Sequence, residues 1–468
     1  MADRFDLVIL GGGSGGYVAA IRAGQLGLRT AVVESEKVGG TCLHRGCIPT
    51  KALLQSAALL DQLRDGARFG VNAAAVSFDY TVAATRRDQV VDQLHKGVQD
   101  LLRKNKATVV AGRGRLVDPG RVAVRDAAGA QSAELEAAHV IIATGSRPRQ
   151  VAGLPADGHQ VLTSDDALFL DAVPASAIVL GAGAVGVEFA SFWRSVGSEV
   201  TLVEMAPRLV PLEDDAVGVE LRKQFETRGI TCLVDSTLDT ASVEVNEGGV
   251  AVTVHGADGS ERRLQAVVLL VAVGRSGNVE DIGLEACGVT ATRGAIAVDG
   301  AQRTSAPGIA AIGDCAGGFL LAHKAMHEGV IAVEAIADRS PHALDARLVT
   351  RTTYCTPQIA SLGLSEAEAR AAGYAVKAGT FPFRGNARAV VWGETGGFCK
   401  VVADAAGGDV LGVHIIGNEV TELIYGPALG ALLESTPFEM SRAVAPHPTL
   451  SEAIGEAALA VTGQALHI

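Results

Sequence analysis

The sequence predicts an α/β protein with two Rossmann-like dinucleotide-binding domains followed by a C-terminal α+β domain. One pattern occurs twice: an apolar strand, a glycine-rich loop, a helix, a second strand and an acidic residue. Towards the C-terminus, short helices such as Ser365–Ala372 alternate with strand-like runs at Phe398–Ala403 and Val410–Ile416. The length of 468 residues suggests two to four domains rather than a single core.

The first copy of the pattern starts almost at the N-terminus. Phe5–Leu10 is predicted as a buried strand, Tyr17–Leu26 as a helix, and Thr30–Val33 as a second strand that leads into Glu34. The glycines of its G-x-G-x-x-G loop are Gly11, Gly13 and Gly16. Such glycines permit a tight turn and the close approach of a pyrophosphate to the helix N-terminus, where free N–H groups and the dipole favour an anion. Glu34 is then placed to accept hydrogen bonds from ribose hydroxyls.

The second copy repeats these features with the same spacing. Its strands are Ala177–Leu180 and Val200–Val203, a helix follows from Val187, and Glu204 is the acid. Its loop glycines are Gly181, Gly183 and Gly186. In both copies the first glycine precedes the acid by 23 residues, and the two copies are 170 residues apart. One such loop is weak evidence, but two with matching strands, helices and acids predict two dinucleotide sites.

The acid of the second copy indicates which nicotinamide coenzyme binds. A carboxylate at Glu204 favours a free 2′-hydroxyl and repels a 2′-phosphate, which would require arginines nearby. Arg208 is the only cation that closely follows Glu204 in the sequence. We therefore predict NAD rather than NADP.

Composition argues against several other classes of protein. The formal net charge is −12 and no Lys/Arg cluster stands out, so nucleic acid is not an expected partner. The longest apolar run, Ala266–Val273, is far shorter than the roughly 18 residues of a membrane span and is predicted as a strand. Because no basic leader precedes an apolar stretch, we expect a cytoplasmic protein that is not exported.

The seven cysteines do not form the even pattern of a secreted disulfide framework. Five are predicted to be ordinary packing cysteines: Cys232, Cys287, Cys315, Cys355 and Cys399. Cys42 and Cys47 are five residues apart, and on a regular helix their Cα atoms would lie roughly 8–9 Å apart, too far for a disulfide. Gly46 and Pro49 make a distorted turn plausible, but two unlinked thiols are the alternative. The spacing is poor for zinc, and no metal site is predicted.

The segment Gly39–Lys51 resembles the redox-active segment of the pyridine nucleotide–disulfide oxidoreductases. Arg45 and Lys51 flank its cysteines with positive charge that would lower a thiol pKa. Further similar segments occur along essentially the whole chain: Val140–Pro148, Val273–Arg275, Ala311–Asp314, Leu320–Lys324 and His447–Glu452. In this order they are highly specific to the family and less specific to its substrate.

The resemblance implies that the first dinucleotide site holds FAD and the second holds NAD. The residues that match the FAD site are Gly11, Gly13, Gly16, Glu34, Gly40, Thr41, Cys42, Lys51, Gly114, Thr144, Gly145, Ser146, Asp314, Leu320, Leu321, Ala322 and His323. Those that match the NAD site are Gly181, Gly183, Gly186, Glu188, Glu204 and Gly274. Taken alone, Asp314 could equally be a turn aspartate, and Glu188 could be a surface acid in the first turn of its helix.

The resemblance also assigns chemistry to the cysteines and to the C-terminal segment. Cys42 and Cys47 become a redox-active disulfide, His447 the base and Glu452 the residue that orients it. His447 would act on the disulfide of a second subunit, so the functional unit would be a homodimer, and the bond before Pro448 would be cis. Local chemistry offers an alternative, because Thr449–Glu452 fits a capping box that opens the last helix.

The implied reaction is the oxidation of protein-bound dihydrolipoamide by NAD through the disulfide and FAD. Glutathione-type reductases would replace Glu204 with arginines, and mercuric reductases carry a terminal cysteine pair where this chain ends at 464–468 without one. A non-enzymatic redox-sensing partner on the same fold is the third alternative, although it need not keep Cys42, Cys47, His447 and Glu452 together.

The domain boundaries and partners follow from the same resemblance. We expect an FAD-binding domain at 1–150, an NAD-binding domain at 151–277, a central domain at 278–347 that completes the FAD site, and a dimerisation domain at 348–468. The expected partner is the lipoyl domain of a 2-oxo acid dehydrogenase acyltransferase, or the carrier of glycine cleavage.

One residue between the cysteines departs from the family pattern. His44 occupies a position where asparagine is common, and we expect it to affect the pH dependence of the redox cysteines.

Overall fold

The computed structural model describes residues 3–406 and 408–468. The strands, in chain order, are β1 (Asp3–Leu10), β2 (Thr30–Glu34), β3 (Thr108–Ala111), β4 (Arg113–Asp118), β5 (Arg121–Arg125), β6 (Gln131–Ile142), β7 (Ser146–Pro148), β8 (Val161–Leu162), β9 (Ser176–Leu180), β10 (Glu199–Val203), β11 (Thr231–Leu233), β12 (Ser236–Asn246), β13 (Gly249–Gly256), β14 (Glu261–Ala266), β15 (Val268–Val271), β16 (Arg275–Gly277), β17 (Ala291–Thr292), β18 (Ala295–Ile296), β19 (Ile309–Ala311), β20 (Arg351–Thr353), β21 (Gln358–Gly363), β22 (Val376–Pro382), β23 (Phe398–Asp404) and β24 (Val410–Gly417).

The helices, in the same order, are α1 (Ser14–Gln25), α2 (Gly40–Arg45), α3 (Cys47–Arg64), α4 (Tyr80–Lys104), α5 (Ser164–Ala167), α6 (Ala184–Ser195), α7 (Asp215–Thr227), α8 (Ala322–Ile336), α9 (Glu366–Ala371), α10 (Ala387–Trp392), α11 (Val420–Leu423), α12 (Tyr425–Leu432), α13 (Pro437–Arg442) and α14 (Glu452–Ala460). Short 3₁₀ turns lie at Gly66–Phe69, Glu285–Cys287, Gly313–Ala316, Ala346–Leu348 and Phe383–Gly385.

The described chain divides into two compact units. The first contains the residues up to Ala52 together with Val82–Arg149 and Arg275–Leu344. The second contains Leu53–Thr81, Gln150–Gly274 and Asp345–Ile468. Each unit holds one of the two predicted glycine loops.

The first unit is built on a sheet with the strand order β3-β2-β1-β6-β5-β4, and β19 also pairs with β6. Strands β1, β2, β3, β6 and β19 run parallel to their neighbours, whereas β4 and β5 form antiparallel pairs. Leu7–Leu10 is completely buried, as expected for a parallel strand covered on both faces. Helices α1 and α8 cross closely because Gly15 and Gly329 leave room for the facing backbone.

The second unit contains a five-stranded parallel sheet with the order β11-β10-β9-β15-β8, and an antiparallel meander β12-β13-β14 that packs in the same hydrophobic cluster. The predicted single strand over Ala266–Val273 is wrong, because β14 ends at Ala266 and β15 starts at Val268. The chain changes sheets at that point, so the continuous apolar run serves two different strands.

The C-terminal part of the second unit is an antiparallel sheet with the order β20-β21-β24-β23-β22, packed against α14. The predicted alternation of short helices and strands is therefore confirmed. A polar row crosses this sheet in register through Arg351, Ser361, His414 and Lys400. The row meets the start of α7, where Arg351 pairs with Glu213 at 3.2 Å and Lys400 with Asp214 at 2.9 Å.

Candidate active site

The first glycine loop joins β1 to α1 by a turn in which two positions require glycine. Gly11 has φ 104°, and a Cβ there would overlap the carbonyl oxygen of Ala143. A Cβ at Gly16 would overlap the carbonyl oxygen of Gly11. Gly13 is the N-cap of α1, so the N–H groups of the first turn have no side chain over them. The loop is a cradle in which a phosphate can approach the helix N-terminus.

Glu34, at the end of β2, is hydrogen-bonded to this loop. Its carboxylate accepts hydrogen bonds from Gly12 N at 2.7 Å and from Glu36 N at 2.9 Å. These two bonds fix the carboxylate beside the loop, which is the position from which an acid binds ribose hydroxyls. Gly114, on β4, crosses the ends of β1 and β2, since a Cβ there would come within 2.6 Å of Leu10.

The second glycine loop, between β9 and α6, has the same geometry. Gly181 has φ 98°, and a Cβ there would lie 2.6 Å from the carbonyl oxygen of Ala272. A Cβ at Gly186 would overlap the carbonyl oxygen of Gly181, and Gly183 is the N-cap of α6. Gly274, just beyond β15, also adopts a left-handed conformation, with φ 109°.

The acid of the second copy is held in the same way as the first. Glu204 accepts hydrogen bonds from Ala182 N at 2.7 Å and Ala206 N at 2.8 Å. Arg208 forms an ion pair with Asp215 at 2.8 Å. A cation that is already neutralised adds little attraction for a 2′-phosphate, which agrees with the predicted preference for NAD.

Cys42 and Cys47 form a disulfide because the helix that carries them is broken between them. Helix α2 ends at Arg45 and α3 starts at Cys47, while Gly46 has φ −143° and ψ −112°. A Cβ at Gly46 would lie 3.0 Å from the carbonyl oxygen of Thr41. The break brings the two Cα atoms to 4.7 Å, within the range that a disulfide spans. The alternative of two unlinked thiols is therefore wrong for this structure.

The redox segment starts directly at the first glycine loop. Gly39 N donates to the carbonyl oxygen of Gly12 at 2.7 Å, and a Cβ at Gly40 would come within 2.6 Å of the Gly13 Cα. Gly40, Thr41 and Cys42 thus open α2 beside the N-cap of α1. Of the two predicted flanking cations, Arg45 pairs with the exposed Glu36 at 2.7 Å. Lys51 lies four residues after Cys47 on α3, which places both on one helix face.

A second group of predicted residues meets where β6, β16 and β19 end. Ser146 donates a hydrogen bond to the carboxylate of Asp314. Arg275 in turn donates to the Ser146 hydroxyl at 2.8 Å and to its carbonyl oxygen at 2.9 Å. Thr144 and Gly145 are held by Asn278, whose N donates to the Gly145 carbonyl oxygen at 2.9 Å. Asp314 is therefore one member of a fixed polar network rather than an isolated turn residue.

A buried ion pair ties the Asp314 turn to α8. Lys324 and Glu328 are both buried and lie 2.6 Å apart. Glu328 accepts from Gly313 N at 2.7 Å, and Lys324 donates to the carbonyl oxygen of Gly317 at 2.8 Å. Burial raises the pKa of Glu328, an effect that the bond from Lys324 opposes. The first turn of α8 starts at Ala322, as predicted, with Leu320, Leu321 and His323 around its N-terminus.

The predicted position of Glu188 needs correction. Because α6 starts at Ala184 rather than at Val187, Glu188 lies in the second helical turn, and its side chain is buried instead of being a surface acid. Its carboxylate accepts from Tyr354 N at 2.8 Å. The favourable interaction of an acid with the helix dipole acts within the first turn, so it does not explain the presence of Glu188 in the second turn.

His447 and Glu452 form a hydrogen-bonded pair at the start of α14. The Nδ1 of His447 lies 2.9 Å from Glu452 Oε1, and Thr449 N donates to Oε2 at 2.9 Å. The bond before Pro448 is cis, as predicted. The His447 ring is exposed, with its Nε2 turned away from the carboxylate by the geometry of the ring. The pair can therefore present a basic nitrogen to a group outside the described chain.

Only one half of the capping box considered at Thr449–Glu452 is formed, the bond from Thr449 N to the Glu452 carboxylate. Ser451 is the N-cap of α14 and makes no side-chain cap, while the Thr449 hydroxyl donates to the carbonyl oxygen of Pro446 at 2.8 Å. Burial would raise the pKa of Glu452, but the hydrogen bonds from His447 and Thr449 N outweigh it and lower that pKa. Glu452 is thus an ionised acceptor that holds the histidine ring.

Comparisons with known proteins match this geometry. Residues 5–329 match the sequence profile described as pyridine nucleotide-disulphide oxidoreductase, and residues 349–458 match the dimerisation domain of that family. The chain belongs to the pyridine nucleotide-disulphide oxidoreductase family.

Relatives and solved structures extend the match over the full chain. The dihydrolipoyl dehydrogenases of Bacillus subtilis and Zymomonas mobilis are each 45% identical over all of both sequences. The dihydrolipoyl dehydrogenase of Mycobacterium tuberculosis H37Rv is 42% identical over 97% of each. The crystal structure of LpdA from Mycobacterium tuberculosis superposes with a TM-score of 0.89 and 31% identity, covering 98% of this chain and 99% of the other.

Members of this oxidoreductase family use FAD and NAD(H), and both loops of the chain fit such groups. At Gly11, Gly16, Gly181 and Gly186 a Cβ would overlap the protein backbone, so these glycines permit the tight turns. Gly13 and Gly183, the N-caps of the two helices, place no side chain where a pyrophosphate would approach. The dimerisation domain of the family indicates a homodimer. In this chain the region that matches the dimerisation domain exposes several large apolar side chains, as expected for a face that a second copy covers. They are Val390, Val391, Tyr425, Leu429, Leu432, Leu433, Phe438 and Val444.

Sequence reasoning missed several residues that hold the site in this oxidoreductase. Arg275 and Asn278 secure Ser146, Thr144 and Gly145, although they lie about 130 positions away in the sequence. Only the i, i+4 spacing of Lys324 and Glu328 could have indicated their ion pair. The five remaining cysteines are buried and form no disulfide in the part of the chain that the structure describes, in agreement with their predicted packing role. Within residues 3–406 and 408–468, no helix is both long and apolar enough to cross a membrane.

Proposed function

We propose that the chain is a dihydrolipoyl dehydrogenase, which oxidises protein-bound dihydrolipoamide to lipoamide and reduces NAD. The observation that carries the proposal is the Cys42–Cys47 disulfide, one hydrogen bond away from the first glycine loop, in a chain whose full-length relatives are named dihydrolipoyl dehydrogenases. A disulfide at the end of an FAD loop is suited to exchange with a dithiol substrate.

His447 of a second copy is proposed to act as the base. The substrate carries two thiols, and the exposed imidazole nitrogen of His447 would take the proton from one of them. Glu452 holds the ring through Nδ1 and stabilises the charge that the ring gains. We place His447 and the cysteines together in a homodimer, which the match to the dimerisation domain of the family supports.

The cysteine chemistry balances as two successive exchanges. The substrate thiolate attacks the sulfur of Cys42, so that a mixed disulfide forms and Cys47 leaves as a thiolate. The second substrate thiol attacks the substrate sulfur of the mixed disulfide, so that lipoamide leaves and the proton of that thiol passes to Cys42, which is released as a thiol. Two electrons and two protons have then moved from the substrate to the enzyme. Lys51, on the helix face of Cys47, supplies positive charge on the side where that thiolate forms.

We propose that the residues predicted for the two cofactors bind them in these roles. When bound, FAD would accept the electron pair from the reduced cysteines and pass it as a hydride to NAD. The glycine loops bind the two pyrophosphates, and Glu34 and Glu204 bind ribose hydroxyls. Asp314 is held by Ser146 beside the N-terminus of α8, where Leu320–His323 and the helix dipole favour negative charge on a bound ring.

The binding partner, the cellular location and the domain boundaries are also proposals. We propose that the partner is a lipoyl domain of a 2-oxo acid dehydrogenase complex or a glycine-cleavage carrier, since lipoamide is carried on such domains. We propose a cytoplasmic location, which is supported by five buried cysteines that are not disulfide-bonded in the described residues. We propose the domain boundaries of 1–150, 151–277, 278–347 and 348–468, and the dimerisation-domain match at 349–458 supports the last of these domains.

The first experiment is the initial rate of NAD reduction by dihydrolipoamide, with NADP in parallel. We expect rapid turnover with NAD alone, loss of turnover in Cys47→Ser, and little change in Cys287→Ser, a matched change of a free cysteine. No turnover in a yellow protein whose flavin NADH still reduces would mean that the fold is right and the dithiol is another molecule.

The role of His447 has a matched control, a second histidine whose carboxylate partner also lies on α14. His467 makes a similar pair with Glu456, at 2.8 Å between Nδ1 and Oε1. We expect His447→Gln to lower kcat by about 10²- to 10⁴-fold, the usual contribution of a general base, and His467→Gln to change it little. Equal losses in both variants would contradict a catalytic role for His447.

A further inference from the structure

The segment that follows Glu204 returns to the second glycine loop through Val210. The N–H of Val210 donates to the carbonyl oxygen of Ala182 at 2.9 Å, and Ala182 N donates to Glu204 at 2.7 Å. Val210 is buried and has φ 44°, a conformation that a β-branched residue rarely adopts. Such a conformation persists only where the surrounding structure imposes it. The contacts that restrain Val210 therefore also hold the glycine loop.

The two acids that follow Val210 supply these restraints. Glu213 N donates to the carbonyl oxygen of Val210 at 2.8 Å, so that the chain closes a turn. Arg351 donates to both carboxylate oxygens of Glu213, each at 3.2 Å, and the two side chains are only 11% and 9% exposed. Lys400 secures the next residue, Asp214, at 2.9 Å. A buried guanidinium that binds a carboxylate at two points fixes its orientation as well as its position.

Arg351 belongs to the C-terminal sheet, in which it lies on β20. A chain of contacts therefore connects this sheet through Glu213 and Val210 to the carbonyl oxygen of Ala182 in the second glycine loop. The sequence placed every residue expected at the NAD site between Gly181 and Gly274. Arg351 lies far outside that range, so the structure adds a residue that no sequence pattern indicated.

The chain that leaves β20 also contacts α6, the helix that the second glycine loop opens. Tyr354 N donates to the carboxylate of Glu188 at 2.8 Å, and Thr356 N donates to the hydroxyl of Ser191 at 2.9 Å. Both acceptors lie on α6. The run 351–356 thus contacts the NAD region at two places, the helix after the glycine loop and the segment that returns to that loop.

We propose that Arg351 is a positioning residue for the coenzyme site. Through Glu213 it holds Val210, and with it the second glycine loop, in the form that binds NAD. Arg351 acts without touching the coenzyme. This role rests on the proposed function only in assigning NAD to the second loop, and it does not depend on which dithiol is the substrate.

The test is the binding of NAD to the oxidised, FAD-loaded protein, measured by titration calorimetry. Oxidised flavin has no electrons to give to NAD, so the titration reports binding alone. We expect Arg351→Met to raise the Kd for NAD about three- to tenfold, the usual size of a coupling that acts through intermediate residues. The KM for NAD should rise by the same factor, whereas kcat, the KM for dihydrolipoamide and the flavin content should change less than about twofold.

A second variant separates positioning from the cost of an unpaired charge. Arg351→Met leaves the buried carboxylate of Glu213 without its guanidinium, which can prevent folding. Glu213→Met combined with Arg351→Met removes both charges and avoids that cost. Since the two residues act through one contact, this double variant should raise the Kd for NAD by about the same factor as Arg351→Met, not by more.

Val413→Ala is the control for a general loss of stability. Val413 is buried in the apolar core of the C-terminal sheet, so the change destabilises that sheet and leaves the Arg351 ion pair in place. The Kd for NAD should stay within about twofold of the wild type. An unchanged Kd in both Arg351 variants, or an equal rise in Val413→Ala, would overturn the proposal.

The dihydrolipoamide assay on the same wild-type sample tests the proposed function separately. A wild type that binds NAD with an affinity dependent on Arg351, but does not oxidise dihydrolipoamide, would refute the dithiol substrate and leave the role of Arg351 standing. A wild type that oxidises dihydrolipoamide, with variants that bind NAD equally well, would refute the role of Arg351 alone.

Discussion

The loop after β1 and the loop after β9 share one turn and differ in what secures it. Gly11 and Gly181 have φ of 104° and 98°, and Gly16 and Gly186 are each packed against the carbonyl oxygen of the first glycine. Each loop also accepts a hydrogen bond from the chain that follows its acid. In the first loop Gly39 N donates to the Gly12 carbonyl oxygen at 2.7 Å, and in the second the donor is Val210 N, to Ala182 at 2.9 Å.

The two donor residues, Gly39 and Val210, differ in the conformational cost of their backbone. Gly39 adopts its left-handed conformation at no steric cost, whereas the buried Val210 has φ 44°, which costs a β-branched residue about 1–2 kcal/mol. Beyond Gly39 the chain enters the redox helix. Beyond Val210 it reaches Glu213 and Asp214, whose buried ion pairs with Arg351 and Lys400 tie it to the C-terminal sheet.

This contrast shows how one duplicated turn serves two purposes. The second loop is fixed by burial and by ion pairs, as suits a site at which a coenzyme only has to bind. The first loop is held by the hydrogen bond from Gly39 N, in a pair of glycines that leads directly into the helix of the redox cysteines. If the contrast is right, equivalent changes in the two copies should have different consequences.

The largest expected effect comes from adding one methyl group to each turn. Gly16→Ala and Gly186→Ala both place a Cβ against a backbone carbonyl oxygen. We expect Gly16→Ala to be purified with little or no flavin. We expect Gly186→Ala to remain yellow but to bind NADH about 100-fold more weakly, equivalent to about 2.7 kcal/mol.

Flavin absorbance and NADH titration measure the two effects separately. Gly426→Ala is a matched control, since a Cβ there would meet nothing within 4 Å. Loss of flavin in Gly186→Ala, or normal flavin content in Gly16→Ala, would reverse the assignment of the two loops.

The next effect concerns the ion pairs that secure the second copy. Asp214 is almost fully buried, and it accepts two hydrogen bonds from Lys400. Asp214→Asn removes the buried negative charge that faces Lys400 and leaves Glu366 as its carboxylate partner, so it should lower the free energy of unfolding by about 3–5 kcal/mol. Asp215→Asn, the neighbouring exposed acid, should change it by less than about 1 kcal/mol.

Chemical denaturation as a function of pH checks the sign of this effect. Burial would raise the pKa of Asp214, but the hydrogen bonds from Lys400 and Glu366 N lower it below 3.8. A depressed carboxyl pKa gives stability that is complete above 3.8 and is lost as pH falls through the lower folded value. The difference between wild type and Asp214→Asn should therefore be constant at neutral pH and shrink below about pH 4.

The sequence predicted local features well and long-range partners poorly. The two glycine turns follow from residues within a few positions of one another, and Gly46 made a break in the helix plausible, whereas the cis bond before Pro448 was implied by the family resemblance. Lys400 with Asp214 and Arg275 with Ser146 are set by strand register between distant segments, so no local pattern indicates them. Glu188 was misplaced because α6 starts one turn earlier than its apolar pattern suggested.

The smallest expected effect distinguishes the two acids. Glu34→Gln and Glu204→Gln each replace a carboxylate that accepts from two backbone N–H groups with an amide that can accept only through its oxygen. Both variants should loosen their loops slightly.

Glu204→Gln also removes the charge that repels a 2′-phosphate, so we expect the ratio of kcat/KM for NADP to that for NAD to rise about three- to tenfold, equivalent to about 1 kcal/mol. The rise stays modest because Arg208 remains paired with Asp215 and supplies no phosphate ligand. Glu34→Gln should leave that ratio unchanged and instead raise the rate at which flavin dissociates. An equal change of coenzyme preference in both variants would mean that the two acids do not divide FAD and NAD between them.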